Sequence, residues 1–146
     1  MKRLFYLALT FTIALQSCSE DDTSNPSDTN PTSGFTWKEN GGVEIKADSA
    51  YYVTQFKTIK AFKNYSDPVN SKFIEINLTA GTPATYDVAN GNDISFLYSG
   101  NLYVASTGSI TISENSSNKM TGTFTSNSTN GTITSLEGNF KSIEIR

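Results

Sequence analysis

Residues 72–79 read Lys-Phe-Ile-Glu-Ile-Asn-Leu-Thr, alternating apolar and polar side chains down one register. With a period of two, Ile74, Ile76 and Leu78 share one face, and Phe73, Glu75 and Asn77 share the other. That spacing scatters the apolar residues around a helix but gathers them on one side of a strand, so it predicts a strand half buried in a sheet. Most of the chain beyond residue 33 has the same character, short apolar or alternating runs separated by Gly, Asn, Ser and Asp.

Phe35-Thr36-Trp37 opens this part, and Gly41-Gly42 turns the chain into Val43-Glu44-Ile45. Ile110 and Ile112 alternate with Ser109, Thr111 and Ser113. Asn115-Ser116-Ser117-Asn118 marks a turn into a run over residues 118–126, and Ile143 and Ile145 finish the chain. Residues 49–65 are ambiguous. Tyr52, Phe56, Ile59 and Lys63 approach helical spacing, yet the stretch is rich in aromatic and β-branched residues and has no cap, so it predicts two strands. Residues 34–146 are long enough for one domain with its own core. The expected fold is all-β: a single antiparallel sandwich or half-open barrel of about eight or nine strands.

The first 33 residues have another purpose. Lys2 and Arg3 precede an apolar run from Leu4 to Leu15, shorter than the roughly 20 residues a spanning helix needs. Leu15-Gln16-Ser17-Cys18 then resembles the lipobox of bacterial lipoproteins, although Gln16 stands where a small residue is common. Cys18 is the only cysteine. The resemblance implies a signal peptide over residues 1–17, cleaved before a Cys18 that carries lipid. One acyl chain binds membranes only marginally, each buried CH₂ adding about 0.8 kcal/mol, and the two or three chains of a mature lipoprotein would hold the protein there. An ordinary secretory signal with a chance cysteine is the plainer alternative.

Residues 18–33 follow as a lipidated, acidic tether built from Ser, Thr, Asp, Asn and Pro, with too little apolar surface to offset backbone ordering. Ser19-Glu20-Asp21-Asp22 resembles the acidic surface-export signal that follows the lipidated cysteine in one phylum of Gram-negative bacteria; a solubilising spacer is the simpler reading. The formal net charge is −3, from 11 basic and 14 acidic residues, and loss of Lys2 and Arg3 takes it to −5. An acidic chain lacks the electrostatic footprint of a nucleic-acid partner. The expected location is the cell envelope, anchored to the outer membrane through Cys18.

Near the C-terminus, Ile110-Thr111-Ile112-Ser113-Glu114, then Asn118-Lys119-Met120-Thr121-Gly122-Thr123-Phe124, then Gly138-Asn139-Phe140 resemble a family of small bacterial surface lipoproteins labelled only as a domain of unknown function. The likeness covers about the last 40 residues well. It implies a lipobox leader and a β-rich body, and it supplies no mechanism.

Absences bound the chemistry. With no histidine, Ser-His-Asp and Cys-His arrangements and His-ligated zinc are excluded. With Cys18 committed to lipid, thiol chemistry, disulfides and Cys-metal sites go too. No phosphate-binding glycine loop is present. Paired carboxylates could in principle cleave a glycoside, but most acidic residues of the domain, Glu75 and Glu114 among them, fall where solvent faces and turns are expected. No catalytic residue, metal or cofactor is therefore assigned. Residues 87–93 hold the densest set of oxygen ligands, yet lack the spacing of an EF-hand loop and predict a turn. Lys57, Lys60 and Lys63 could dock an acidic partner or lipid headgroups, and read more plainly as solvated charges or guards of an edge strand. Asp48-Ser49-Ala50 resembles the short acceptor to which some Gram-negative bacteria attach O-glycans, which makes Ser49 a candidate modification site.

The remaining candidates are Tyr98 and Tyr103. Gly100-Asn101 suits a two-residue hairpin loop, which would set Ser99 against Leu102 and Tyr98 against Tyr103. Ile94, Phe96, Tyr98, Tyr103 and Ala105 would share one face and Leu97, Leu102 and Val104 the other, both apolar and both packed. The two rings form either a plain cross-strand pair or a stacking platform for a sugar or peptide. The expected function is a non-catalytic binding module at the surface, its ligand unspecified. The alternatives are a calyx-type carrier of a small apolar ligand, which needs a lined cavity, and a structural envelope component.

Overall fold

The computed structural model describes residues 34–129 and 131–146; the leader, Cys18 and the acidic tether lie outside them. The alternating runs become β1 (Gly34–Glu39), β2 (Ile45–Lys46), β3 (Ser49–Val53), β4 (Thr58–Lys63), β5 (Lys72–Asn77), β6 (Ala84–Asp87), β7 (Asp93–Tyr98), β8 (Asn101–Val104), β9 (Thr107–Ser116), β10 (Lys119–Asn127) and β11 (Ser135–Ile145). A 3-10 turn at Val88–Asn90 is the one helical piece among the described residues. Residues 49–65 form two strands, β3 and β4. The chain reverses between them where Lys57 takes a left-handed φ of 54° and donates its N–H to the Thr54 carbonyl.

Nine strands run in the order β6-β9-β10-β11-β3-β4-β5-β7-β8, and β1 pairs with both β11 and β2 beside that path. The sheet curls into a half-open barrel, the second of the two expected architectures. Its inward side chains form a single core that includes Phe35, Trp37, Ile59, Ile76, Phe96, Phe124 and Phe140. On β5, Ile74, Ile76 and Leu78 are buried as the alternation requires.

Antiparallel pairing is not universal. β11 and β3 run parallel, with Glu144 beside Tyr51 and Ile145 beside Tyr52. The long β11 pairs first with β1 over residues 136–141 and then, past the end of β1, with β3. Ser142, at φ 50°, marks the handover. Its N–H bonds to Thr121 Oγ1 at 3.0 Å, and the β10–β11 register shifts between Met120 and Gly122. This bulge adds one residue, so Phe140 and Ile143, three apart, both point inward.

Gly122 stands opposite Phe140 and Gly138 opposite Phe124. A Cβ at Gly122 would meet the Phe140 ring and the Thr111 carbonyl; one at Gly138 would meet the Phe124 ring and the Thr36 carbonyl. Each glycine thus gives its strand neighbour's ring a place to lie flat on the backbone. Phe35 packs on both rings, 5.3 Å from Phe124 and 6.1 Å from Phe140 between centroids. Gly122, Phe124, Gly138 and Phe140 of the C-terminal motifs are therefore packing residues in this fold.

The hairpin of β7 and β8 departs from the expected register. Ser99 (φ 48°) and Gly100 (φ 75°) form its loop, which sets Tyr98 opposite Asn101 and Phe96 opposite Tyr103. A two-residue hairpin turn of this hand needs positive φ at both central positions. Asn101 instead enters β8, and its side-chain amide braces the loop by donating to the Ser99 carbonyl at 3.2 Å. Moving the loop by one residue shifts the pairing by two, so the division into faces survives while the Tyr98–Tyr103 pair does not. Nor are both faces packed: β8 ends the sheet, and Leu97, Leu102 and Val104 remain 39%, 65% and 50% exposed.

Candidate functional site

The inward rows of the half-barrel end in polar residues at its open end. On β1 the alternation that buries Phe35 and Trp37 brings Glu39 to the same side. The Trp37 indole N–H donates to Glu39 Oε1 at 3.0 Å. Lys72, first residue of β5, gives its ammonium to both Glu39 oxygens at 2.7 and 2.8 Å. That ammonium also lies 4.6 Å from the centre of the Tyr98 ring, its cross-strand partner. Lys72 and Glu39 side chains are only 17% and 15% exposed, so this pair feels a lower dielectric than surface pairs do. Trp37, Glu39, Lys72 and Tyr98 thus form one chain of contacts across β1, β5 and β7, which fixes the tyrosine at the rim.

Tyr103 reaches the same rim from β8. It stacks on Phe96 at 6.1 Å, as Tyr98 does at 6.4 Å, and shares a hydrogen bond of 3.0 Å with Thr132 Oγ1. The two tyrosines are therefore diagonal neighbours around Phe96 and not a facing pair. Both still line one open hollow of about 510 Å³, with Asn101 and Leu102.

Tyr98 also lines a second open hollow, of about 620 Å³, together with Asp48, Asn64, Tyr65, Asp67 and Asn70. Tyr65 is 78% exposed, yet its ring sits edge-on to Phe62 at 5.3 Å and 88°. The β4–β5 loop that carries it is braced by Asp67, whose carboxylate accepts the Val69 and Asn70 N–H groups and the Asn70 side-chain amide. Those bonds, led by the Asn70 side chain, hold the Asp67 carboxyl below the usual carboxylate range. Lys63, at 2.6 Å, and then the Asn64 backbone N–H do the same for Asp48. The side chains of Asn64 and Ser66 have no hydrogen-bond partner among the described residues.

Other sequence candidates fall away from this rim or take plainer parts. Lys57 donates to the Thr79 carbonyl, Lys60 pairs with Glu75 at 3.3 Å, and Lys63 holds Asp48. Lys60 and Lys63 lie on β4, which is interior to the sheet, and Lys57 in the turn before it, so they do not guard an edge. Residues 87–93 form the expected turn, closed by the buried Asn92. Its amide donates to the Asp87 carbonyl, and its oxygen accepts from the Thr79 N–H and hydroxyl. Among the described residues no group of three His, Cys, Asp or Glu side chains could hold a metal ion. Ser49 is exposed at the start of β3. Cys18 lies outside the described residues.

Sequence reasoning reached Tyr98 and Tyr103 but missed Tyr65, Asp48, Asp67 and the Glu39–Lys72 pair. Its available signal was the aromatic Tyr65 inside a polar Asn, Ser and Asp stretch, a place where burial is not expected. Between Ile94, Ala105, Ser126 and Leu136 a crevice holds about 10 Å³, the space of a single water, against the roughly 300–1,000 Å³ of ligand pockets. No protein-family model, no curated protein and no solved structure matches the chain.

Proposed function

We propose that this protein is a lipid-anchored, non-catalytic binding module of the cell envelope, which presents the open end of its half-barrel to a ligand. The observation that carries the proposal is Tyr98, clamped by Lys72 between two open hollows that Tyr65 and Tyr103 also line. A ring fixed by its neighbours gives up little freedom on binding, and tyrosine combines apolar area with a polar end. A calyx carrier has less support, since the core is filled by side chains and the larger hollows open outward.

Attachment rests on the leader and Cys18, with the acidic residues after Cys18 supporting export to the surface. The exposed Ser49 is compatible with glycan attachment, which would add a hydrated group beside the rim. The resemblance to small surface lipoproteins points the same way. The test applies the purified full-length chain to immobilised cell-envelope polysaccharide and protein fractions. Tyr98→Ala should lose retention while keeping the Trp37 fluorescence of the folded protein. Retention of the variant at the wild-type level would place binding elsewhere.

A further inference from the structure

We infer that the hollow between the β4–β5 loop and Tyr98 is a subsite for a neutral sugar ring of a polysaccharide or glycan, an assignment that rests on the binding role proposed above. Its lining selects among ligand classes. Asp48 and Asp67 are held ionised by their hydrogen bonds and repel anions, and the Lys72 ammonium that also lines the hollow is already paired with both Glu39 oxygens. Cations meet competition, because Lys63 already occupies Asp48 and Lys72 already occupies the face of Tyr98. A purely apolar ligand would strip water from carboxylates and amides without replacing its hydrogen bonds.

A neutral pyranose meets each of these conditions. Its C–H face packs on an aromatic ring, and its hydroxyls both donate and accept. The hollow supplies matching groups: the exposed ring of Tyr65, carboxylate lone pairs on Asp48 and Asp67, and the unpartnered side chains of Asn64 and Ser66. The loop is already braced by Asp67, and Tyr65 is already oriented by Phe62, so little ordering remains to oppose binding. Tyr65 lies outside the core: it is 78% exposed, and among the described residues its one ring contact is the edge-on approach to Phe62.

The test titrates the full-length protein with neutral cello-, malto-, manno- and xylo-oligosaccharides, and with oligogalacturonate as the charged counterpart. Saturation-transfer NMR and isothermal titration give the readout. At least one neutral series should bind and oligogalacturonate should not. Tyr65→Ala should weaken binding about tenfold or more, as loss of a central aromatic anchor does, and Tyr65→Phe should retain it. Absence of binding by every neutral series, equal binding of oligogalacturonate, or indifference to Tyr65→Ala would overturn the saccharide assignment. The Tyr98→Ala retention experiment separates the two levels: if retention is lost but no saccharide binds, the module stands and the sugar does not.

Discussion

Gly122 and Gly138 occupy the middle of long strands, where glycine is ordinarily a weakness. Here their missing side chains are the seats of Phe140 and Phe124. Gly122→Ala would force the Phe140 ring off the backbone and out of the cluster it forms with Phe35. The expected cost is about 2–3 kcal/mol in urea denaturation followed by Trp37 fluorescence, since overpacking a filled core forces side chains off their rotamers. The carboxylates at the rim give a pH dependence with a definite sign. Asp48 and Asp67 titrate below their ordinary 3.8 in the folded protein. Their stabilisation is complete above that value and is lost as pH falls through the lower folded-state values. Amide protection factors of residues 64–71, taken relative to the intrinsic exchange rate at each pH, should therefore fall at acid pH before those of β4 and β5. Simultaneous loss of protection across the whole domain would show that the carboxylates do not govern this loop.

At the scale of single elements, β5 is the sharpest case. Ile76 is fully buried and flanked by Ile59 and Ile94, so Ile76→Asp should cost about 4 kcal/mol by leaving an unpaired charge in the core. Glu75→Lys faces Lys60 across the strand pair, trading a partly exposed ion pair for a like-charge contact, and should cost about 1 kcal/mol. The β7–β8 hairpin is tested by Gly100→Ala against Asn101→Ala. At φ 75° a Cβ on residue 100 meets open space but strained backbone, a cost of about 1 kcal/mol, while Asn101 has ordinary strand geometry and gives up one exposed hydrogen bond, about 0.5 kcal/mol. The reverse order would restore the Gly100-Asn101 loop. Alternation made β5 readable from the sequence, and the Asn-Ser-Ser-Asn turn was readable too: Ser117 and Asn118, both at positive φ, form its two-residue loop. The β11 bulge was not readable, because an inserted residue breaks the period that reveals a strand. The hairpin was misplaced by one residue because serine rarely takes the left-handed φ that Ser99 adopts here.

For the whole molecule, the curl of the sheet decides what the sequence could not show. Glu39 and Lys72 are 33 positions apart, and Tyr65 and Tyr98 come to line one hollow only through the order β4-β5-β7. The all-β class needed only local patterns, whereas the rim is a product of strand order and register. The proposed tether and anchor belong to this scale as well. Cys18→Ala should abolish palmitate labelling and release the protein from membranes; a variant that still fractionates with them would remove the lipid from the account. The central claim is that ligand is held at the rim and not inside the half-barrel. Amide chemical-shift mapping of the full-length chain against soluble cell-envelope polysaccharide tests it most directly. Shifts should cluster at residues 64–71 and 98–103. Shifts centred on the core-lining Ile110, Phe124 and Ile143, or no shifts at all, would contradict it.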